Sequence, residues 1–268
     1  MSILLILFIY FLLGGITGLC AGLLGIGGGI IVVPALAYIF HHDHMPAMYV
    51  MHLAVGTSLA IMVSTTLRSL KSHLAHQGRG EFWGIAKLFM PTVIVGVVGG
   101  AFLADYLHSN VLRMIFGIAL LLIAIRILFF SRPPKKTRVL PANIKMRSAG
   151  LIMGILSGLL GIGGGTTAVP YLLYYQVSMR TAVRVAIFVG LLVAIVGAIA
   201  YGIAGINEPL PAHCWGYIYW PAWLGTSVGS VLFAPFGVRL SYFLPTDTLK
   251  RLFALLMVLI SIHMLFFK

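Results

Sequence analysis

Charge is what this chain has least of. Only 9% of its 268 residues are charged and only five are acidic, against roughly a quarter charged in an ordinary soluble domain. A water-exposed fold is excluded on that ground. So few carboxylates, with no pair of them in an apolar segment, argue against an enzyme working by paired acid–base groups. Cysteine is as scarce, with Cys20 in an apolar run and Cys214 in a polar connector. Neither a disulfide framework nor a cysteine metal cluster can be built from two such residues. No Gly-Lys-Ser/Thr follows any glycine run and no βαβ pattern surrounds one, so a nucleotide-binding loop is a poor fit.

Hydrophobic residues make up 60% of the chain. The runs Ile3 to Leu24, Met48 to Leu67 and Val185 to Ile206 reach the ~20 residues that cross a bilayer as helix. They are apolar all round, unlike the alternating segments of a transmembrane β-barrel. The expectation is an all-α polytopic membrane protein. The first run has no basic n-region and outlasts a cleavable signal, so it is read as retained. Net charge is +13, which invites a nucleic-acid partner. The basic residues instead concentrate in one connector, "SRPPKKTRVLPANIKMR", from Ser131 to Arg147. A cytoplasmic loop obeying the positive-inside rule explains them without nucleic acid.

The strongest internal signal is duplication. Gly22 to Leu36 and Gly158 to Leu172 match at 11 of 15 positions, and the stretch from Leu112 pairs with that from Leu249 at eight of 19. Residues 1–130 and 148–268 are then two membrane repeats, with 131–147 as linker. Each repeat reads as five apolar segments: about 3–24, 27–40, 48–67, 82–104 and 111–130, then 148–160, 164–176, 185–206, 216–236 and 249–267. An odd number inverts the second repeat relative to the first. Loop charge agrees: the loops at His41 to Pro46, near Ser109 and at Ile206 to Gly216 carry no Lys or Arg, whereas those at Arg68 to Lys87, Arg180 and Arg239 to Arg251 do. The former are expected outside and the latter inside. Inverted repeats are a common plan of secondary transporters.

Segments 148–160 and 164–176 are too short for both to cross a ~30 Å core. Each glycine cluster, Gly27, Gly28, Gly29 and Gly163, Gly164, Gly165, is therefore expected to be a helix break or re-entrant tip, giving about eight membrane helices by conventional count. Unwound backbone at membrane depth survives only where protein or a watery cavity covers it. The helix restarting there offers free N–H groups and a positive dipole end, an anion site built without side-chain charge. Glycines four apart, as at Gly14 and Gly18, Gly96 and Gly100, and Gly225 and Gly229, are read as tight helix crossings.

The duplicated "GLLGIGGG…VP", with "AVGTSL" from Ala54 to Leu59 and "HLAHQG" from His73 to Gly78, resembles the sulfite exporter TauE/SafE family of membrane transporters. The resemblance covers nearly the whole chain. It implies export of a small anion, sulfite or an organosulfonate or other organosulfur compound, across a bacterial inner membrane. The second repeat departs from the first: Ala54-Val-Gly-Thr-Ser58 has Ala182-Val-Arg-Val-Ala186 as its counterpart. Thr57 and Ser58 lose their equivalents and Arg184 arrives.

The candidate substrate-binding residues are the six glycines together with Thr57, Ser58, Thr166, Thr167 and Arg184. For the hydroxyls the competing roles are backbone hydrogen bonding and capping; for Arg184, snorkelling to headgroups. His52 reads first as a hydrogen-bonded histidine and second as a proton relay. His41, His42 and His44 read as a solvated loop, not a metal tract. Trp215, Tyr217, Tyr219, Trp220 and Trp223 read as an interfacial belt. No cofactor, metal or catalytic residue is expected. The partners expected are the anion, the bilayer, protons as candidate coupling ion and a second copy as candidate dimer mate. A passive anion channel and an intramembrane enzyme are the competing functions.

Overall fold

A computed structural model of the chain describes residues 3–24, 28–74, 80–129, 143–241 and 246–266. The helices are α1 (Ile3–Leu24), α2 (Gly29–His42), α3 (Val50–Leu74), α4 (Gly80–Tyr106), α5 (Ser109–Phe129), α6 (Asn143–Leu160), α7 (Gly165–Tyr174), α8 (Met179–Ala204), α9 (Trp220–Ser241) and α10 (Thr246–Phe266). Between α8 and α9 a small antiparallel hairpin pairs β1 (Cys214–Trp215) with β2 (Ile218–Tyr219). Ten helices among the described residues match the ten apolar segments one for one. Five of them, including α3, α5 and α8, contain spans long and apolar enough to cross a membrane. The chain is an all-α polytopic membrane protein.

Two boundaries differ from the sequence expectation. Helix α6 starts at Asn143, inside the basic connector, because no glycine or proline follows Pro141 until Gly150 and Met146 is buried. Helix α3 continues past Leu67 because Arg68 and Lys71 propagate a helix well. Hydropathy marks where lipid begins, and a helix need not stop there.

The dominant contacts join α1 to α9 and α4 to α6, followed by α5 with α10, α4 with α8 and α3 with α8. Glycines make the first two possible. A methyl on Gly18 would lie 2.6 Å from the Ser230 carbonyl oxygen, and one on Gly158 would lie 2.6 Å from that of Val97. Lipid tails are as apolar as leucine, so van der Waals contact between close backbones has to drive such pairs. The small-residue pairs read from the sequence, Gly14 with Gly18, Gly96 with Gly100 and Gly225 with Gly229, all lie at these crossings. Exchanging the first five helices for the last five turns the α1–α9 pair into α6–α4. The same exchange leaves the α3–α8 and α5–α10 pairs unchanged.

Three polar connectors meet at one end of the bundle. Tyr49 donates its hydroxyl to Glu208, Ser109 Oγ accepts from Met51 N at 3.1 Å, and Tyr217 donates to Asp105 at 2.9 Å. The bond to Glu208 holds the Tyr49 phenol above the usual tyrosine range. These are the loops without Lys or Arg. At the other end Trp83 meets Phe188, and Tyr171 lies 3.4 Å from the Lys145 carbonyl. Helix α4 runs toward the Lys/Arg-free end and α6 runs parallel to it, whereas α1 and α9 both run away from it.

Candidate functional site

Both glycine clusters interrupt helix in the structure. Gly25, Ile26 and Gly27 lie outside the described residues; Gly28 follows at φ +71° and α2 begins at Gly29. At the second cluster α6 ends at Leu160, Gly161 sits at φ +63°, and α7 begins at Gly165. Those positive φ values fall in the left-handed region, which an L side chain enters at a cost of about 1–2 kcal/mol. Neither restarted helix has a side-chain cap. Pro34 and Pro170 each occupy the sixth position of the helix that follows, where the ring removes an N–H donor and loosens the first turns.

The two breaks touch. A methyl on Gly29 would fall on the Gly161 carbonyl oxygen, 3.0 Å from Met62 Sδ and 3.4 Å from Ile162 Cα. Gly161 is wedged against Val33 and Val55, and Gly164 against Val189 and Gly190. Gly29, Gly163 and Gly164 are buried, and Gly165 is half-buried. The uncapped start of α2 therefore packs against the break between α6 and α7, and each restarted helix carries the partial positive charge of its dipole at its own N-terminus.

The hydroxyls chosen from sequence are already engaged. Ser58 donates to the Gly161 carbonyl at 3.2 Å, and Thr57 Oγ1 accepts from Tyr219 N at 3.0 Å. Both side chains are fully buried. The Gly-Thr-Ser stretch of α3 thus ties the second break and the hairpin to one helix. Thr166 donates to the Gly163 carbonyl at 2.9 Å and Thr167 to that of Gly164 at 3.3 Å. Each closes its own helical turn while leaving lone pairs free. Arg184 is half-buried on α8, six residues before Gly190 and hence about 9 Å along the helix from it. The structure brings Gly29 and Ser58 together at Gly161, places Thr57 at the hairpin, and sets Arg184 toward the basic end.

His52 is buried with Nε2 at 2.9 Å from the Ala104 carbonyl, the hydrogen-bonded arrangement. His41, His42 and His44 are exposed, and no three-ligand metal group occurs among the described residues. The aromatic belt is corrected. Trp215 is exposed, but Tyr217 and Tyr219 are buried and Trp223 donates its Nε1 hydrogen to the Ala60 carbonyl at 3.1 Å. Gly56, Gly205 and Gly216 present no side chains, so the hairpin enters between α3 and α8 and Tyr217 stacks on His52 at 5.1 Å. Composition located the aromatics in a loop, and only packing could show that the loop folds inward.

Comparison with known proteins agrees with this architecture. The sulfite exporter TauE/SafE family profile matches residues 10–264. A probable membrane transporter protein of Haemophilus influenzae is 29% identical over 254 residues, covering 94% of this chain and 96% of its own. One from Methanocaldococcus jannaschii is 26% identical, covering 87% and 83%, and YunE of Bacillus subtilis, also a probable membrane transporter protein, is 24% identical, covering 95% of each chain. No solved structure matches. A polytopic helical bundle, interrupted twice at matching glycine clusters and matched over nearly its full length, is that of a membrane transporter: the chain belongs to the sulfite exporter TauE/SafE family.

Proposed function

We propose that the protein is a secondary transporter exporting a small oxyanion, sulfite or an organosulfonate, held by backbone N–H groups at the two glycine breaks between inverted repeats. The observation that carries this reading is the contact of Gly29, at the uncapped start of α2, with Gly161 and Ile162 in the break that leads into the uncapped start of α7. An anion at such a place needs no lysine or arginine, because N–H groups and dipole ends stabilise it where side-chain charge would be costly. The exchange symmetry of the helix pairs, and the opposite directions of α1–α9 and α6–α4, support residues 1–130 and 148–268 as inverted repeats. Motion of one repeat against the other would then open the shared region to each side in turn.

Counterflow in proteoliposomes tests the reading, with sulfite, methanesulfonate, thiosulfate and acetate as substrates, with and without a proton gradient. Saturable exchange of the sulfur oxyanions is expected, and Gly164→Leu should abolish it while the protein still inserts. Flux that neither saturates nor counterflows would make the protein a channel. Normal exchange by Gly164→Leu would remove the breaks as the site.

A further inference from the structure

His52 of α3 is 3% exposed, and its two ring nitrogens have different surroundings. Nε2 stands 2.9 Å from the Ala104 carbonyl, which can only accept, so Nε2 carries the ring hydrogen and donates it. Nδ1 is then a bare lone pair, buried and without a partner among the described residues. A buried acceptor that nothing satisfies is costly. The smallest ligand that completes a neutral imidazole is a proton.

The neighbours of His52 suit the charge that a proton brings. The ring of Tyr217 lies 5.1 Å from that of His52 at a tilt of 32°, close enough for its face to stabilise an imidazolium. The same Tyr217 donates its hydroxyl to Asp105 at 2.9 Å, and Asp105 follows Ala104, the residue bonded to Nε2. Tyr217 also packs 6.1 Å from Tyr49, which donates to the exposed Glu208. Two of the chain's five acidic residues are thus reached from His52 through two tyrosines, and the second of them opens to solvent. The elements packed against α3 bring further titratable groups to this end of the bundle: Tyr201 on α8, Tyr219 on β2, His42 on α2 and Arg113 on α5.

Two routes join this cluster to the second glycine break. Ser58, six residues and about 9 Å along α3 from His52, donates to the Gly161 carbonyl. Tyr201, whose ring lies 6.3 Å from that of Tyr217, donates to the Gly158 carbonyl in the last turn of α6, three residues before Gly161. The sequence holds a matching signal. Met51-His52-Leu53-Ala54-Val55 has Met179-Arg180-Thr181-Ala182-Val183 as its counterpart, so a titratable ring in one copy stands where the other has a fixed charge.

We propose that His52, with Asp105 and Tyr217, is a proton-binding site that couples proton movement to the anion held at the glycine breaks. The proposal rests on the anion-transport reading and names the coupling ion of that transport. In the transfer, hydronium at the Lys/Arg-free face gives its proton to Nδ1: an O–H bond breaks, an N–H bond forms and water is left. The imidazolium keeps its Nε2 bond to Ala104 while the Asp105 carboxylate balances its charge. The proton returns to water by the reverse step once the site opens to the other side. No residue of the breaks has to titrate, which fits an anion site made of backbone.

The test uses full-length protein in proteoliposomes, with a pH-sensitive dye inside and methanesulfonate as the probe, because a sulfonate stays ionised and carries no proton of its own. Anion counterflow and net anion flux are measured together with the dye signal. In the parent, net flux should move protons and change about tenfold between about pH 5 and pH 8, the interval in which an imidazole changes charge. His52→Gln still donates to the Ala104 carbonyl but takes no proton; it should keep counterflow and lose both the dye signal and the pH dependence. Asp105→Asn still accepts from Tyr217 and should cut proton movement about tenfold. The exposed His42→Gln should behave as the parent does. Parent exchange without proton movement, or proton movement undiminished in His52→Gln, overturns the coupling site and leaves the transport reading standing. Loss of counterflow in His52→Gln would give His52 a structural part, and would also overturn it. A parent that exchanges neither methanesulfonate nor the other sulfur oxyanions overturns both.

Discussion

The two breaks share the octapeptide "GLLGIGGG" and differ in how they are folded. At matching positions, Gly28 is left-handed at φ +71° while Gly164 is right-handed at φ −55°. The second break spends its left-handed residue three positions earlier, at Gly161. Helices α2 and α7 end alike, with Met45 N bonded to Phe40 O and Val177 N to Leu172 O around left-handed His44 and Gln176. Helix α2 has 14 residues and α7 has 10, so the shared closing motif arrives one turn later after α2. Identical local sequence therefore permits a break without dictating its shape. The neighbours decide that: Gly161 is held by Ser58 and packed against Val33 and Val55, all from α2 and α3.

This contrast can be broken most severely at the contact itself. Gly29→Ala would drive a methyl onto the Gly161 carbonyl, and the overpacking should cost about 3 kcal/mol and end transport. Gly164→Ala meets a rotatable methyl of Val189 at 2.8 Å and should keep most of the folded yield. Melting temperature and size-exclusion profiles of the two variants compare them, and equal loss would mean that the breaks do not lean on each other as described.

Next in size is Ser58→Ala. Removing the donor to a buried carbonyl should cost about 2 kcal/mol, read as lowered thermal stability together with faster amide exchange around Gly161. A melting temperature unchanged from the parent would remove Ser58 as the holder of the second break. Gly28→Ala should cost about 1 kcal/mol through its positive φ, and Gly164→Ala carries no such conformational cost at its matching position. Thermal unfolding of the pair isolates backbone strain from packing.

Smallest are Thr166→Val and Thr167→Val, each removing a back-bond of about 0.5 kcal/mol with counterflow kept near the parent value. If either lowers transport as far as Gly164→Leu does, the hydroxyl and not the backbone is the ligand at the second break.

Much of the architecture was legible before any coordinates. The ten apolar segments, the placing of the Lys/Arg-free loops at one end and the crossings at Gly96 and Gly100 follow from hydropathy, charge and small-residue spacing, because the bilayer imposes those rules on any spanning chain. The inward course of the hairpin was not legible. Tyr217 and Tyr219 carry the composition of an interfacial belt, and what lets Tyr217 in is the lack of a side chain at Gly205 and at Gly56, the latter far away in sequence, while Tyr219 packs on Tyr10 and Phe40. The roles of Thr57 and Thr226 were equally hidden. Gly56-Thr57-Ser58 and Gly225-Thr226-Ser227 are copies of one tripeptide, and only the neighbours separate a hydroxyl that joins two elements from one with no partner among the described residues.

By itself the sequence determined that the chain is a helical membrane protein, that one glycine-rich stretch recurs in it, and that helix is disfavoured at both copies of Gly-Gly-Gly. Those outcomes depend on local propensity and on transfer into lipid, which act residue by residue. Tertiary structure alone decided that the breaks meet, which glycine turns left-handed, and which hydroxyls stay unbonded. Each of these depends on backbones approaching within about 4 Å across the bundle, a distance that no spacing along one helix encodes.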